Sequence, residues 1–336
     1  MTLFLSKTRK PKNTYQYAIR IKLQKQKVAL LSVYSNSFLV ILKLVAGIFM
    51  GSISVISEGI HSMIDLVAAV IANYSVRKSG APADKDHPYG HGKYENYAGV
   101  VEAILIFFAA MLIVYEATMR IIKGAPVEFL GVGIVIMGIS AIVNFFVSNR
   151  LYKVGIETDS MALQADGLHL RTDVMTSVGV MIGLVLIRIT GYEWLDPVVA
   201  IIVAVLIVKA AWELTREASK GLVDEQLPPE EEAKIKCVLA FYSKNFIAFR
   251  ALRTRKSGAE RFVDLVLIVR SDMPVAAAHD LCDTIEAEIE ANLPNTNVMI
   301  HIEPCKKGDS CPHCRGELIE IVEEPDVECA NIKRVR

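Results

Sequence analysis

Two histidine–aspartate pairs with one spacing, His61-x-x-x-Asp65 and His169-x-x-x-Asp173, stand inside runs apolar enough to cross a membrane. An ionisable side chain at the bilayer centre costs about 2.5–3.5 kcal/mol even on lenient insertion scales, so four of them imply a compensating task. On a helix, residues i and i+4 share a face about 6 Å apart along the axis, which aims each pair at a common point. Two imidazoles and two carboxylates converging there offer a four-coordinate site for a divalent metal, with Zn(II) as the leading candidate. Metal needs these ligands deprotonated, so protons compete for the same four side chains and become a natural exchange partner. The alternative is that the four groups only hydrogen-bond between helices and hold the bundle together.

Three further ligand sets lie outside the apolar runs. Asp84, Asp86, His87 and His91 fall within eight residues, beside Gly90 and Gly92 that permit a tight turn. His87 and His91 with a carboxylate make a three-ligand site that leaves room for water, or else a soluble loop at the headgroup boundary. Later, His301-Ile-Glu303 puts two ligand types on one face of a strand, and His279 lies on the preceding helix. These three could form a metal site, completed by Asp264 or a second subunit, or a plain polar surface. The tail holds Cys311-Pro-His-Cys314, a C-x-x-C that suits zinc, a redox pair or simple reduced thiols.

The elements that must position these groups follow from hydropathy. Apolar residues make up 52% of the 336, too much continuous apolar sequence for an ordinary soluble domain. Six stretches could span, at about 28–50, 53–76, 97–119, 126–149, 162–189 and 194–214, where roughly 20 residues suffice. Residues 1–27 carry Lys7, Arg9, Lys10, Lys12, Arg20, Lys22, Lys25 and Lys27 with no acidic residue, which predicts a cytoplasmic N-terminus. An even span count returns the C-terminus to the same side, and Arg77, Lys78, Lys85, Lys93, Arg150 and Lys153 fall on that side too. Because the second and fifth spans then run in opposite directions, Asp65 is level with His169 and His61 with Asp173. Gly179 and Gly183, spaced GxxxG, permit close helix approach. Asp166, one turn before His169, is expected to be a solvated boundary residue or an entry ligand.

After about residue 221 the pattern turns soluble and reads helix, strand, strand, helix, strand, with a turn at Ser257-Gly258. The expected fold is therefore an all-α six-helix transmembrane bundle with a C-terminal α+β (αββαβ) cytosolic domain. The division is a basic segment 1–27, a transmembrane domain 28–215, the αββαβ domain 221–304 and a Cys-containing tail 305–336 read as disordered. The small core of that soluble domain makes a homodimer plausible. The cysteines suggest no disulfide framework, since Cys237 and Cys282 fall in a cytosolic region and the other four at the tail.

The runs Ser52–Asp65 (SISVISEGIHSMID), Asp84–Gly92 (DKDHPYGHG) with Lys93, and Leu163–Asp173 (LQADGLHLRTD) resemble the cation diffusion facilitator family. Asn36, Lys43 and Asp196-Pro197 fit the same pattern, so the likeness covers about residues 28–304. It implies a homodimeric six-span exporter that exchanges cytosolic divalent metal for protons, with a metallochaperone-like cytosolic domain. It also implies a loop site at Asp84, His87 and His91, and an alignment salt bridge between Lys93 and Asp224. His279, His301 and Glu303 match three positions of the family's cytosolic two-metal centre, but Arg250 and Val266 stand where relatives have histidines. The His/Asp pair on the second span resembles the zinc-preferring branch.

These readings predict a Zn(II)/H+ antiporter in a bacterial or archaeal cytoplasmic membrane, with no organic cofactor and no nucleic-acid partner. Competing readings are the same fold selective for Fe(II), Mn(II) or Cd(II), and a membrane metal sensor that binds without transport. A zinc protease would want a catalytic Glu beside its zinc, as in H-E-x-x-H, and the spans hold no such motif.

Overall fold

The computed structural model describes residues 12–50, 53–123, 131–190, 195–305 and 329, and divides into two compact units, Met1–Ser219 and Lys220–Arg336. The first is wholly helical: α1 (Lys12–Met50), α2 (Ile53–Ser79), α3 (Lys93–Lys123), α4 (Gly131–Glu157), α5 (Met161–Thr190) and α6 (Leu195–Lys220). Among the described residues α1, α2, α3, α4 and α6 carry stretches long and apolar enough to cross a membrane. The remaining helix, α5, has 30 residues, and Asp166, His169, Arg171 and Asp173 interrupt its apolar run. The helices outrun the expected spans because their polar ends continue past the apolar stretch; α1 already includes Lys22 and Lys25.

Prolines mark the connections. Pro82 and Pro88 lie between α2 and α3, and Pro197 stands third in α6, where a missing backbone N–H costs nothing. Without a hydrophobic drive between helices in lipid, close packing depends on small side chains. Ala68, Ala69 and Ala72 of α2, Ala103 and Ala110 of α3, and Ala162 and Ala165 of α5 are accordingly buried. Helix α1 packs along α2, α4 along α5, and α3 lies against both α2 and α5. At Gly167 a Cβ would come within 2.8 Å of the backbone nitrogen of Tyr152, so α4 and α5 touch backbone to backbone. The expected small-residue contact at Gly179 exists, but its neighbour is Val203 of α6 rather than α2. Outward, large apolar side chains such as Phe49, Ile122 and Phe146 are exposed, as a lipid-facing surface requires.

The second unit runs α7 (Pro229–Phe241), β1 (Ala248–Ser257), β2 (Glu260–Arg270), α8 (Val275–Asn292) and β3 (Thr296–Cys305), the αββαβ order expected. Its sheet order is β1-β2-β3, antiparallel in the β1–β2 hairpin and parallel between β2 and β3, which α8 links as the crossover. Gly258 takes φ 59° in the hairpin turn, a left-handed conformation that glycine adopts freely. Ile235, Val238 and Leu239 of α7 and Ile285 and Ile289 of α8 bury against Phe249, Leu265 and Leu267 of the sheet.

One expectation needs correction. Cys237 of α7 and Cys329 form a disulfide across 92 residues of sequence, with Cα atoms 5.6 Å apart. Pairing depends on three-dimensional proximity, which the sequence separation hides. Cys282 and Cys305 are free and buried. Cys311 and Cys314 lie outside the described residues.

Candidate metal centre

Each ligand pair sits on one face of its helix, as the i, i+4 spacing requires. One donor atom each of His61, Asp65 and Asp173 lie within 4.8 Å of one another. His169 joins them through Nε2, 3.2 Å from Oδ1 of Asp65. These proximities gather His61, Asp65 and Asp173 into one group and set His169 beside Asp65, as antiparallel α2 and α5 would. Donors on a tetrahedral zinc with bonds of about 2.0–2.1 Å are roughly 3.3–3.4 Å apart. The Asp65–His169 edge, at 3.2 Å, is close to that length, and the donors of His61, Asp65 and Asp173 lie within 4.8 Å of one another. Asp65 and His169 are buried, whereas His61 is exposed and Asp173 half-buried.

The flanking helices support the centre. Asn144 of α4 donates through Nδ2 to Oδ2 of Asp173 at 3.5 Å. Lys43 of α1, itself buried, donates to the Ser62 hydroxyl at 2.8 Å, one residue from His61. Thr172 Oγ donates to the carbonyl of His169 at 2.7 Å, and Ser177 Oγ to that of Asp173 at 2.9 Å. Each hydroxyl thereby satisfies itself on its own helix instead of competing for the ligand side chains.

Two carboxylates beside the centre change the sequence picture. Asp166 is fully buried, not solvated. Glu102 of α3 is equally buried, with Oε2 3.9 Å from Nδ1 of His169. The sequence reading passed over Glu102, although an ionisable residue inside an apolar run is itself the signal that marks His61 and Asp173. Also missed was Glu95 near the start of α3, which accepts hydrogen bonds from Lys25 Nζ of α1 at 2.9 Å and Ser79 Oγ of α2 at 2.7 Å. The Ser160 hydroxyl, just before α5, donates to its other oxygen. Glu95 thus ties together four segments at the end of the bundle nearest the α2–α3 loop.

Within that loop Asp84, His87 and His91 each place one donor atom within 4.8 Å of the others. Oδ1 of Asp84 accepts the backbone N–H of His87 at 2.7 Å and lies 3.1 Å from its Nδ1. Oδ2 lies 3.3 Å from Nε2 of His91, and Gly90 makes the turn with φ 82°. The His87 N–H, then burial opposing it, then the two imidazoles set the Asp84 carboxyl, which is held below the usual carboxylate range. Asp86 is left out of the cluster; its N–H also donates to Oδ1 of Asp84 at 3.1 Å.

The soluble unit does not assemble its expected set. His301 and Glu303 share a strand face, with His301 Nε2 3.9 Å from Oε1 of Glu303. But Glu303 accepts from Arg250 Nη2 at 2.5 Å, and His279 faces Asp283 of its own helix at 3.7 Å. Among the described residues His279, His301 and Glu303 form no three-donor group. The register explains this: Arg250, Val266 and His301 stand side by side across the three strands, so the two departures from the family pattern occupy one rung. Asp224, expected opposite Lys93, has Arg255 at 3.3 Å within its own unit.

Comparison with known proteins agrees with this architecture. Residues 29–223 match the cation efflux transmembrane domain, and residues 227–305 match the cytoplasmic domain of cation efflux proteins. An uncharacterized transporter of Synechocystis is 34% identical over 81% of this chain and 88% of its own length. The cation-efflux pump FieF of Salmonella paratyphi A is 30% identical over 80% of this chain and 89% of its own. The solved structure of CzrB in its zinc form is 36% identical, covers 25% of this chain and 96% of its own, and superposes with a TM-score of 0.24.

Proposed function

Because this chain belongs to the cation diffusion facilitator family, and is therefore an integral membrane cation efflux transporter and not an enzyme, we propose that it exports Zn(II) from the cytoplasm in exchange for protons. The observation that carries this reading is the meeting of His61, Asp65 and Asp173 within 4.8 Å, with His169 Nε2 3.2 Å from Asp65. Two nitrogens and two carboxylate oxygens are a zinc donor set, and the Irving–Williams order favours zinc over iron and manganese there.

Binding replaces protons on these side chains by a dication, and release requires that protons return. The antiparallel pair α2 and α5 draws its ligands from two separate helices. Sliding or rocking one against the other therefore breaks the coordination sphere, which suits alternating access. Glu95 and its partners close one end of the bundle through hydrogen bonds that such a motion must open. Both termini lie in the cytoplasm on this reading, which puts the α2–α3 loop at the entrance. There Asp84, His87 and His91 form a second, partly exposed metal site that would collect the ion before it enters. Two copies of the chain act as a homodimer through the soluble domains, a role that fits the match of residues 227–305. Cys311 and Cys314 of the tail add a further thiolate site on this reading.

Reconstitution into liposomes tests the reading. An inward-acid proteoliposome should take up external zinc in exchange for internal protons, with an internal pH rise proportional to uptake. Zinc binding without pH-coupled flux would point instead to a sensor. Flux greater for Fe(II), Mn(II) or Cd(II) than for Zn(II) would reassign the substrate.

A further inference from the structure

Glu102 is the buried acid that the four-ligand centre does not use. It lies on α3, fully inaccessible, and among the described residues neither of its oxygens has a hydrogen-bond partner. Nδ1 of His169 is likewise buried and without one. These two orphans face each other at 3.9 Å, about 0.7–1.2 Å beyond an ordinary N–H···O distance of 2.7–3.2 Å. On the opposite edge of the same ring, Nε2 faces Asp65 at 3.2 Å.

We infer that Glu102 is a positioning residue that holds His169 as the Nδ1–H tautomer, so that the Nε2 lone pair is directed at the transported ion. This rests on His169 being a ligand, as proposed above. A neutral imidazole carries one proton, and binding a metal through Nε2 obliges it to sit on Nδ1. In the buried interior that N–H needs an acceptor, and an ionised one makes the bond charge-assisted. A metal-ligating histidine bonded to a carboxylate is a recurrent arrangement that fixes ring orientation and raises donor strength. Glu102 faces Nδ1 while Asp65 faces Nε2, so Glu102 stands on the far side of the ring from Asp65 and is placed to orient His169 rather than to share its ion. Its helix is well placed to hold it: Ala103, Ile106 and Ala110 of α3 bury against Ile207, Ala211 and Leu214 of α6. A movement of about 0.7–1.2 Å at the tip of the Glu102 side chain toward Nδ1 completes the contact.

The test uses the full-length protein in detergent, labelled with 15N-histidine and loaded with Zn(II), with affinity measured by competition against a chelator. In wild type the 15N shifts of His169 should report a metal-bound Nε2 and a protonated Nδ1 whose proton resonates far downfield. Glu102→Leu should weaken zinc binding about 10–100-fold, the range for loss of such outer partners. Glu102→Gln keeps an oxygen acceptor without its charge; it should lose about 3–10-fold in affinity and move the Nδ1 proton upfield. If the leucine variant does not fold, the glutamine variant alone decides. His169→Ala separates the two claims. Loss of zinc binding in His169→Ala, with unchanged affinity and an unchanged Nδ1 proton signal in Glu102→Gln, overturns the role of Glu102 and leaves the transport site standing. Unaltered zinc binding in His169→Ala overturns the transport site itself.

Discussion

A pair of glycine-to-alanine changes tests whether the α4–α5 contact sets the ligand geometry. Gly138 and Gly167 both lie inside helices, and replacing either with alanine gains about 0.5–1 kcal/mol of helix propensity. At Gly138 the added Cβ meets nothing within 4 Å, so Gly138→Ala should be neutral or stabilising by that amount. At Gly167 the same atom would meet Tyr152 N at 2.8 Å, and Leu151 Cβ and Ser148 O at 3.2 Å. The nearest neighbour is helix backbone, which has no rotamer to yield. Bringing it out to an ordinary contact of about 3.4–4.0 Å pushes the two helices apart by roughly 0.6 Å or more, and such overpacking costs about 1–3 kcal/mol. The net expectation is a destabilisation of up to about 2 kcal/mol. His169 is two residues along the displaced helix and Asp173 six, while metal–ligand distances tolerate only about ±0.2 Å. Zinc affinity should therefore fall about tenfold or more in Gly167→Ala and remain unchanged in Gly138→Ala. Thermal unfolding in detergent and a zinc competition assay measure both. A Gly167→Ala protein as stable as wild type, with wild-type zinc affinity, would refute the argument that this backbone contact positions α5.

Three further outcomes follow from other parts of the molecule. Glu95→Ala leaves Lys25 buried without its carboxylate, a change worth about 3–5 kcal/mol, and should lower the unfolding midpoint well beyond Glu95→Gln, which keeps an oxygen acceptor. For the loop, the folded Asp84 carboxyl titrates below its unfolded value, so its contribution is present above about pH 3.9 and is lost as pH falls through the folded value. An NMR titration of the His87 amide proton should accordingly show a midpoint below that pH, and a midpoint at or above it would contradict the His87–Asp84 bond. In the soluble domain, Arg250→His with Val266→His would free Glu303 from its ion pair and complete a row of three histidines with His301. Calorimetry should detect a gain of at least tenfold in zinc affinity over wild type, and no gain would mean that the rung does not face a common point.

Much of this arrangement is legible in the sequence because its causes are periodic. The four-residue spacing puts His61 and Asp65 on one helix face, and the apolar run around them sets the depth. Alternating span direction then matches Asp65 with His169, which the 3.2 Å contact realises. The αββαβ order is read from strands on either side of Ser257-Gly258, where local turn chemistry punctuates the chain. What escapes is contact between segments far apart in sequence. Asp166 looks like a boundary residue until helix packing buries it, and Cys237 finds Cys329 only because the chain folds back. Glu102 was hidden for another reason: a lone acid has no motif around it, and its meaning depends on which ring atom it faces. Arg250 reads as a departure from a family pattern in sequence; only strand register shows that it and Val266 remove ligands from the same row as His301.

The central claim is that two antiparallel helices jointly hold a transported dication through His61, Asp65, His169 and Asp173. Proteoliposome flux of Zn(II), Fe(II), Mn(II) and Cd(II), recorded with internal pH for wild type and Asp173→Ala, tests it most directly. The account predicts zinc-dominated, proton-coupled flux in wild type and flux near the protein-free background in the variant. Undiminished zinc flux in Asp173→Ala would contradict it and move the pathway to other residues.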